Sequence, residues 1–346
     1  MSQKLRLQLF LLDNLIWVIV LGFFVLNAFF TPKFSSYDNI VNIFYHSAIM
    51  SMLVLGQGLV LINGNLDLSL ESTLAFAPGI AMLLASRWLP GGMHPLLAIG
   101  ATLAVGAFVG AFNGFCVARI GINPFLQTLS MLIMLRGLVL YLVPFSIFPL
   151  PDMYTYIGKA RMFGNIPVAI PVTLLIFLLF HFLLSFTPFG RYFMATGGNP
   201  RASFIAGINT QRMVIYAFGL AGLLAAVAGL LAAGRQGSVS NSMGDGMVMF
   251  AFAGAILGGA SLTGGKGTAI GMLGGSLLLG MISNSLNLVG VGVTLVYATK
   301  GALIFVALVL DRVKVKLRND LLHKEQVRKL MLQEKDTPAQ SVSSAS

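Results

Sequence analysis

The feature that most constrains this chain is a succession of long apolar runs, repeated almost end to end with few charges inside them. About 20 predominantly apolar residues, within a range of roughly 17–25, let a helix cross the hydrocarbon of a bilayer. Stretches of this kind are placed near Asn14–Phe30, Ile40–Ile62, Leu68–Ser86, Pro95–Ala118, Pro124–Val143, Pro167–Phe186, Met213–Ala233, Gly246–Leu262, Thr268–Leu288 and Val291–Leu310. The eighth and ninth are glycine-rich with no long polar loop between them, so their limits are the least sharply drawn. Composition agrees: 57% of the 346 residues are hydrophobic and 10% are charged, against about 25% charged in soluble domains. The expected fold is all-α, a polytopic membrane protein of about ten transmembrane helices. Residues 14–310 form one membrane domain between a short N-terminal segment, 1–13, and a charged tail, 311–346. The Ser/Ala-rich end of that tail, Thr337–Ser346, is expected to be disordered.

Charge sets the orientation. With the N-terminus inside, Lys4, Arg6, Arg119, Arg191, Arg201, Arg212, Lys266 and the basic residues of the tail fall on the cytoplasmic side. Lys33, Arg87, Lys159, Arg161 and Arg235 fall outside. The opposite orientation would invert the excess of Lys and Arg found in cytoplasmic loops, so both termini are expected to be cytoplasmic. The net charge of +11 then reflects inner loops facing anionic lipid, and nucleic acid is not an expected partner. The first run follows Lys4 and Arg6 like a signal peptide, but it exceeds the roughly 7–15 residues of a signal core and lacks a clear cleavage site. It is expected to stay as an anchor. Cys116 is the single cysteine, which leaves neither a disulfide nor a cysteine-rich metal site.

Thr187–Arg212 is the longest connection on the inner side. It carries three arginines and no acid. Within it Asn199 suits an N-cap, Pro200 the first helical position and Gly207 a left-handed stop. A helix of about two turns is unstable alone in water, so it must pack either on this chain's own helix ends or on a cytoplasmic partner.

Five segments, in order, resemble the permease subunits of ABC sugar importers of the ribose/xylose/galactose group. Gly197-Gly198-Asn199-Pro200-Arg201-Ala202, continued to Gly207-Ile208, is similar to that family's cytoplasmic loop. Asn63-Gly64-Asn65-Leu66-Asp67-Leu68-Ser69 resembles its Gly-Gly-Ile-Asp-Leu-Ser stretch. Asn113-Gly114, Ile122-Asn123-Pro124-Phe125 and Arg136-Gly137 follow its next series, and Thr187-Pro188-Phe189-Gly190-Arg191 its lead-in to the loop. Gly258-Gly259-Ala260-Ser261-Leu262-Thr263-Gly264-Gly265-Lys266-Gly267 resembles its glycine-rich signature. The departures are Glu71 for a usual glycine, Asn123 for a proline, and Arg201 where an acidic or neutral polar residue is usual. The resemblance implies a pore-forming subunit in a bacterial inner membrane, working with a second permease copy or homologue. It also implies two ATP-binding subunits and a periplasmic or extracellular solute-binding protein that delivers a small polar solute, a monosaccharide before others. Gly197, Gly198, Asn199, Pro200, Arg201, Ala202 and Gly207 would couple to the ATPases. No cofactor is expected in this chain, since ATP and Mg belong to the partners, and neither a catalytic residue nor a metal site is expected.

Polar groups inside apolar runs are the candidates for a solute path: Gln57, Asp67, Glu71, Asn113, Gln127, Thr128, Arg136 and Asn284. Asp67 is placed to cap a helix beginning beyond the Asn63-Gly64-Asn65 turn, or else to contact substrate. Glu71 and Arg136 are costly within a membrane and face either a cavity or a partner; the same holds for Lys300. The amides and hydroxyls serve as path or as interhelical hydrogen bonds. Gly267, Gly271 and Gly275 have the spacing of close helix packing. Ala260–Thr268 is no phosphate loop, because Ala260 replaces the first glycine and Gly267 follows Lys266. Three rival readings remain. One is an importer of vitamin or iron-complex cargo, and another an ion-coupled secondary transporter with Glu71 as its one acidic candidate. The third, an intramembrane enzyme, lacks any recognisable hydrolase motif.

Overall fold

The computed structural model describes Leu12, residues 14–89 and 92–292, and part of the residues from 295 to 321. Most of the N-terminal segment, the end of the tail and Lys300 lie outside the described residues. So does much of the tenth run. Among the described residues the chain is helical apart from one two-stranded hairpin. The order is α1 (Leu15–Phe30), α2 (Tyr37–Ile62), α3 (Leu70–Leu83), α4 (Pro95–Phe115), α5 (Pro124–Leu142), α6 (Asp152–Lys159), β1 (Arg161–Met162), β2 (Ile166–Pro167), α7 (Ala169–Phe186), α8 (Pro188–Gly198), α9 (Pro200–Ile205), α10 (Thr210–Gln236), α11 (Met247–Leu257) and α12 (Ala269–Leu288). The helices α3 and α4 run on into π-helical turns, Leu84–Trp88 and Cys116–Ile120.

Among the described residues six helices are long and apolar enough to cross a membrane: α2, α4 with its π turn, α5, α7, α10 and α12. Three apolar helices, α1, α3 and α11, are shorter. The eighth run, expected as Gly246–Leu262, yields only the 11 residues of α11, about 16 Å at 1.5 Å per residue. The chain enters it through Gly246 at φ +71° and leaves it at Gly258-Gly259, where Gly259 takes φ +90°. The third run, expected as Leu68–Ser86, is helical from Leu70 and ends in its π turn at Trp88. Helices α3 and α11 meet near their N-termini, where the Glu71 carboxylate accepts the Val248 N–H at 3.1 Å.

Burial ranks the helices. Of the most apolar window of α2, 78% is buried, against 22–28% for α4, α5 and α7. Helix α2 therefore runs through the centre with α10 and α12, and α4, α5 and α7 form the rim. Their outward faces carry Leu96, Leu97, Phe108, Ile133, Leu140, Leu175 and Leu178, a surface suited to lipid. Helices without a water-driven force between them associate by close backbone approach. A Cβ at Gly110 would sit 2.1 Å from the Phe218 carbonyl oxygen, and one at Gly222 would sit 2.2 Å from that of Gly106. Gly271 and Gly275 do the same against Gly258 and Gly254, joining α12 to α11. Gly267 does not share in that seam; it lies in the preceding loop against Ile62.

Candidate functional site

At one end of the bundle three turns meet through bare backbone. Gly265 N–H donates to the Ile62 carbonyl at 2.7 Å. A Cβ at Gly197 would lie 1.8 Å from that same carbonyl oxygen, and one at Gly264 would lie 2.4 Å from the Gly197 carbonyl oxygen and 3.0 Å from Gly64 Cα. Thus the end of α2, the end of α8 and the loop before α12 form one glycine knot. Asn63 adds a side-chain bond to the Phe193 carbonyl at 3.4 Å. Beyond the knot stands α9. Asn199 Oδ1 accepts the Ala202 N–H at 3.0 Å, Pro200 occupies the first turn, and Gly207 closes the stop at φ +83°. Asn199, Pro200 and Gly207 therefore take the local positions that their types suggest. Arg201 and Ala202 are exposed. So are two large apolar residues that sequence reasoning passed over, Phe204 at 71% and Ile205 at 86%. Their signal was present: apolar side chains in a short helix with no room to bury them.

A second cluster lies on the chain just past the knot. Asp67 is fully buried; its Oδ1 accepts the Ser69 N–H at 2.8 Å and the Ser69 hydroxyl at 2.6 Å. Asn113 Nδ2 donates to Ser69 Oγ at 2.9 Å, and Gln127 Nε2 donates to Asn113 Oδ1 at 3.1 Å. The relay Gln127–Asn113–Ser69–Asp67 joins α5, α4 and the entry to α3. Thr128 bonds the Pro124 carbonyl at 2.8 Å and lies 3.5 Å from that of Leu66. Asp67 does not cap α3 directly as expected. It braces Ser69, the N-cap residue, whose own side chain makes no cap bond. Ser69 was not singled out, although it stands in the Asp67-Leu68-Ser69 motif. Asn123, the departure from proline, is itself the N-cap of α5, accepting the Phe125 N–H at 2.9 Å.

A third cluster explains Glu71. Its carboxylate sits on the N-terminus of α11, where the helix dipole favours a negative charge. Arg136 Nη2 is 3.9 Å from Glu71 Oε1 and 3.8 Å from Asp245. Arg136 Nη1 donates to the carbonyls of Asn241 at 2.8 Å and Met243 at 3.2 Å. The pair thus pins α3 and α5 to the segment that leads into α11.

The family model described as "Branched-chain amino acid transport system / permease component" matches residues 39–309. The chain belongs to this permease family. It is 33% identical over 291 residues to the ribose import permease protein RbsC of Escherichia coli (strain K12), covering 82% of this chain and 88% of that one. It is 35% identical over 302 residues to the ribose import permease protein RbsC of Bacillus subtilis (strain 168), covering 85% and 92%. It is 32% identical over 303 residues to the fructose import permease protein FrcC of Rhizobium meliloti, covering 85% and 83%. No solved structure matches the chain.

The remaining candidates of the permease stand apart from these clusters. Asn284 forms a reciprocal pair with Asn39, at 2.9 and 3.0 Å, joining α12 to the start of α2. Gln57 is fully buried in α2, and neither atom of its carboxamide has a hydrogen-bond partner among the described residues. Asp67 Oδ2 is in the same position. The eight path candidates of the permease therefore fall in four places: Asp67, Asn113, Gln127 and Thr128 converge, Glu71 meets Arg136, and Gln57 and Asn284 stand apart.

Proposed function

We propose that this chain is the membrane-spanning subunit of an ATP-binding-cassette importer that passes a monosaccharide inward across a bacterial inner membrane. A second permease copy or homologue completes the pore, and an external solute-binding protein delivers the sugar. Two partner subunits bind and hydrolyse ATP with Mg. Both termini lie in the cytoplasm and lipid surrounds the rim. The sugar class is taken from the names of the relatives above.

The observation that carries this reading is α9. A capped helix showing Phe204 and Ile205 to its surroundings has an apolar face to cover, and its root is the glycine knot. A load applied to α9 by an ATPase passes through Gly197–Gly198 into Ile62, Gly64 and Gly264–Gly265. From there it reaches the Asn63–Ser69 segment and the Gln127–Asn113–Ser69–Asp67 relay. Gln57 and the free oxygen of Asp67 are then groups that find partners when the helices move, since a buried polar atom without a bond costs about 1–3 kcal/mol. The ion-coupled alternative is less well supported, because Glu71 is already engaged by Val248 and Arg136.

The test is affinity purification of the tagged chain from its native membranes. An ATP-hydrolysing subunit should come with the wild type and be lost from the Phe204→Ser/Ile205→Ser double variant at equal membrane level. Recovery of the ATPase with the double variant would refute the docking role of α9. Uptake driven by an ion gradient without ATP would favour the secondary transporter.

A further inference from the structure

One exposed charge lies at a depth where the bundle is surrounded by hydrocarbon. The Asp245 side chain is 75% exposed, in the turns that join α10 to α11. Its depth follows from its neighbours. Met247 lines the same cavity as His46 and Met50, and these two stand about 18–24 Å along α2 from Ile62, at 1.5 Å per residue. Helix α2 has 26 residues and is about 39 Å long, so the start of α11 is level with its middle. Arg136 gives the same depth. Its Nη2 lies 3.8 Å from the Asp245 carboxylate, and it stands about 18 Å along α5 from Pro124. The hydrocarbon of a bilayer is about 30 Å thick, so Asp245 falls well inside it.

A charged side chain at that depth is costly against lipid and faces a water-filled cavity or a protein partner. Arg136 does not cover it. That guanidinium is shared: Nη1 donates to the carbonyls of Asn241 and Met243, and Nη2 lies 3.9 Å from Glu71 and 3.8 Å from Asp245 with a hydrogen bond to neither. Two carboxyl groups against one guanidinium leave the cluster acidic on its exposed side. The exposed surface runs from Ser242 through Asp245 and Gly246 to Met249, which is 47% exposed. The rim is built otherwise. Helices α4 and α7 carry no Asp, Glu, Lys or Arg from end to end, and they turn Leu97, Phe108, Leu175 and Leu178 outward. At membrane depth the chain therefore has two kinds of surface, one suited to lipid and one suited to water.

We propose that the turn Asn241–Gly246 and the exposed side of α11 line the aqueous route of the solute, where Asp245 is a fixed negative charge that admits neutral solutes and turns back anionic ones such as phosphorylated sugars. The inference rests on the reading of the chain as a permease whose pore a second copy completes, and adds which face the copies turn toward the route. The turn is built to hold its carboxylate in place. The Asp245 N–H donates to the Ser242 carbonyl at 3.3 Å, and Gly244 and Gly246 take φ +75° and +71°. Arg136 pins the backbone on one side through Asn241 and Met243, and Glu71 pins it on the other through Val248.

The test uses the purified permease with its co-purifying subunits in lipid nanodiscs, in a Cys116→Ser background and with ATP turning over. Met249→Cys is treated with a cationic and an anionic methanethiosulfonate of similar size, each rate being divided by that of the same reagent with 2-mercaptoethanol. Both water-soluble reagents should react. The cationic one should be about three- to tenfold faster, the weight of one nearby charge on two probes of opposite sign. The preference should shrink at high salt and fall toward one when Asp245→Asn is added. Ser242→Cys, on the other side of Asp245, repeats the measurement, so the result does not depend on how Met249 is tolerated. Reaction of both positions with a lipid-soluble maleimide alone would put this face against lipid, and reaction with no reagent would put it in a tight contact; either overturns the route. A preference that Asp245→Asn leaves unchanged overturns the charge role. With an active ATPase in the complex these outcomes leave the importer reading standing, whereas a permease that brings no ATPase removes that reading before any labelling is done.

Discussion

At the level of single residues, Glu71 shows how a charge that looks like a transport group serves the architecture. Its carboxylate accepts from Val248 at 3.1 Å and faces Arg136 at 3.9 Å, so removing it leaves both the α11 terminus and a partly buried guanidinium short of a partner. Breaking a buried pair from one side costs about 3–5 kcal/mol. Glu71→Ala is expected at the low end, about 3 kcal/mol, because Arg136 keeps the carbonyls of Asn241 and Met243. Glu71→Gln keeps an acceptor for Val248 and should cost about 1 kcal/mol. Thermal unfolding in detergent reads both changes, and uptake by Glu71→Gln should persist. Loss of uptake at an unchanged melting temperature would place Glu71 on the solute path instead. Sequence marked Glu71 and Arg136 as costly groups facing either a cavity or a partner. It did not disclose that each answers the other, since they lie on different helices and their closeness depends on where α3 and α11 begin. The relay had the same legibility: Asp67, Asn113 and Gln127 were visible as polar groups in apolar runs, while Ser69, the joint between them, was hidden in a motif.

At the level of elements, the capping residues carried their information locally, so α9 was legible from Asn199, Pro200 and Gly207. The short α11 was not, because a glycine-rich apolar run reads as one span whether or not the chain bends inside it. Whether a glycine is needed is likewise invisible in sequence. Gly197 and Gly198 are adjacent and equivalent in the motif, yet a Cβ at Gly197 meets the Ile62 carbonyl at 1.8 Å, whereas one at Gly198 meets only Gly265 Cα at 3.7 Å. A carbonyl in a helix end cannot step aside like a flexible side chain. Gly197→Ala is therefore expected to displace α8 from α2 and cut uptake severely, with ATP hydrolysis no longer stimulated by the loaded binding protein. Gly198→Ala should retain most of both activities. Equal behaviour of the two variants would mean that the knot does not carry the load between α9 and the pore.

At the level of the whole molecule, the connections sort to two ends. Asn63–Ser69, the π turn after α4, the α8–α9 hairpin and the loop before α12 gather at one end, through contacts such as Gly265 with Ile62 and a shared pocket lined by Gly64, Ala118, Gly197 and Thr263. At the other end the Ile147–Val239 bridge and the Tyr45 bond to the Gly158 carbonyl at 2.6 Å tie α6 and its flanks to α2 and α10. Arg119, Arg191, Arg201, Arg212 and Lys266 belong to the first end; Lys33, Lys159, Arg161 and Arg235 belong to the second. With Arg87 the second end carries five basic residues, as many as the first, so the orientation proposed above, with the α9 end cytoplasmic, rests on the basic residues of the N-terminal segment and the tail. This orientation is open to a direct measurement in a Cys116→Ser background. Phe163, 89% exposed at the tip of the hairpin, should as Phe163→Cys react with a membrane-impermeant maleimide in intact cells whose outer barrier has been opened. Ile205→Cys, on α9, should react only after the inner membrane is permeabilised. The reverse pattern would put α9 outside, beyond the reach of any ATP-hydrolysing partner, and no rearrangement of the residues within the bundle would rescue the coupling scheme.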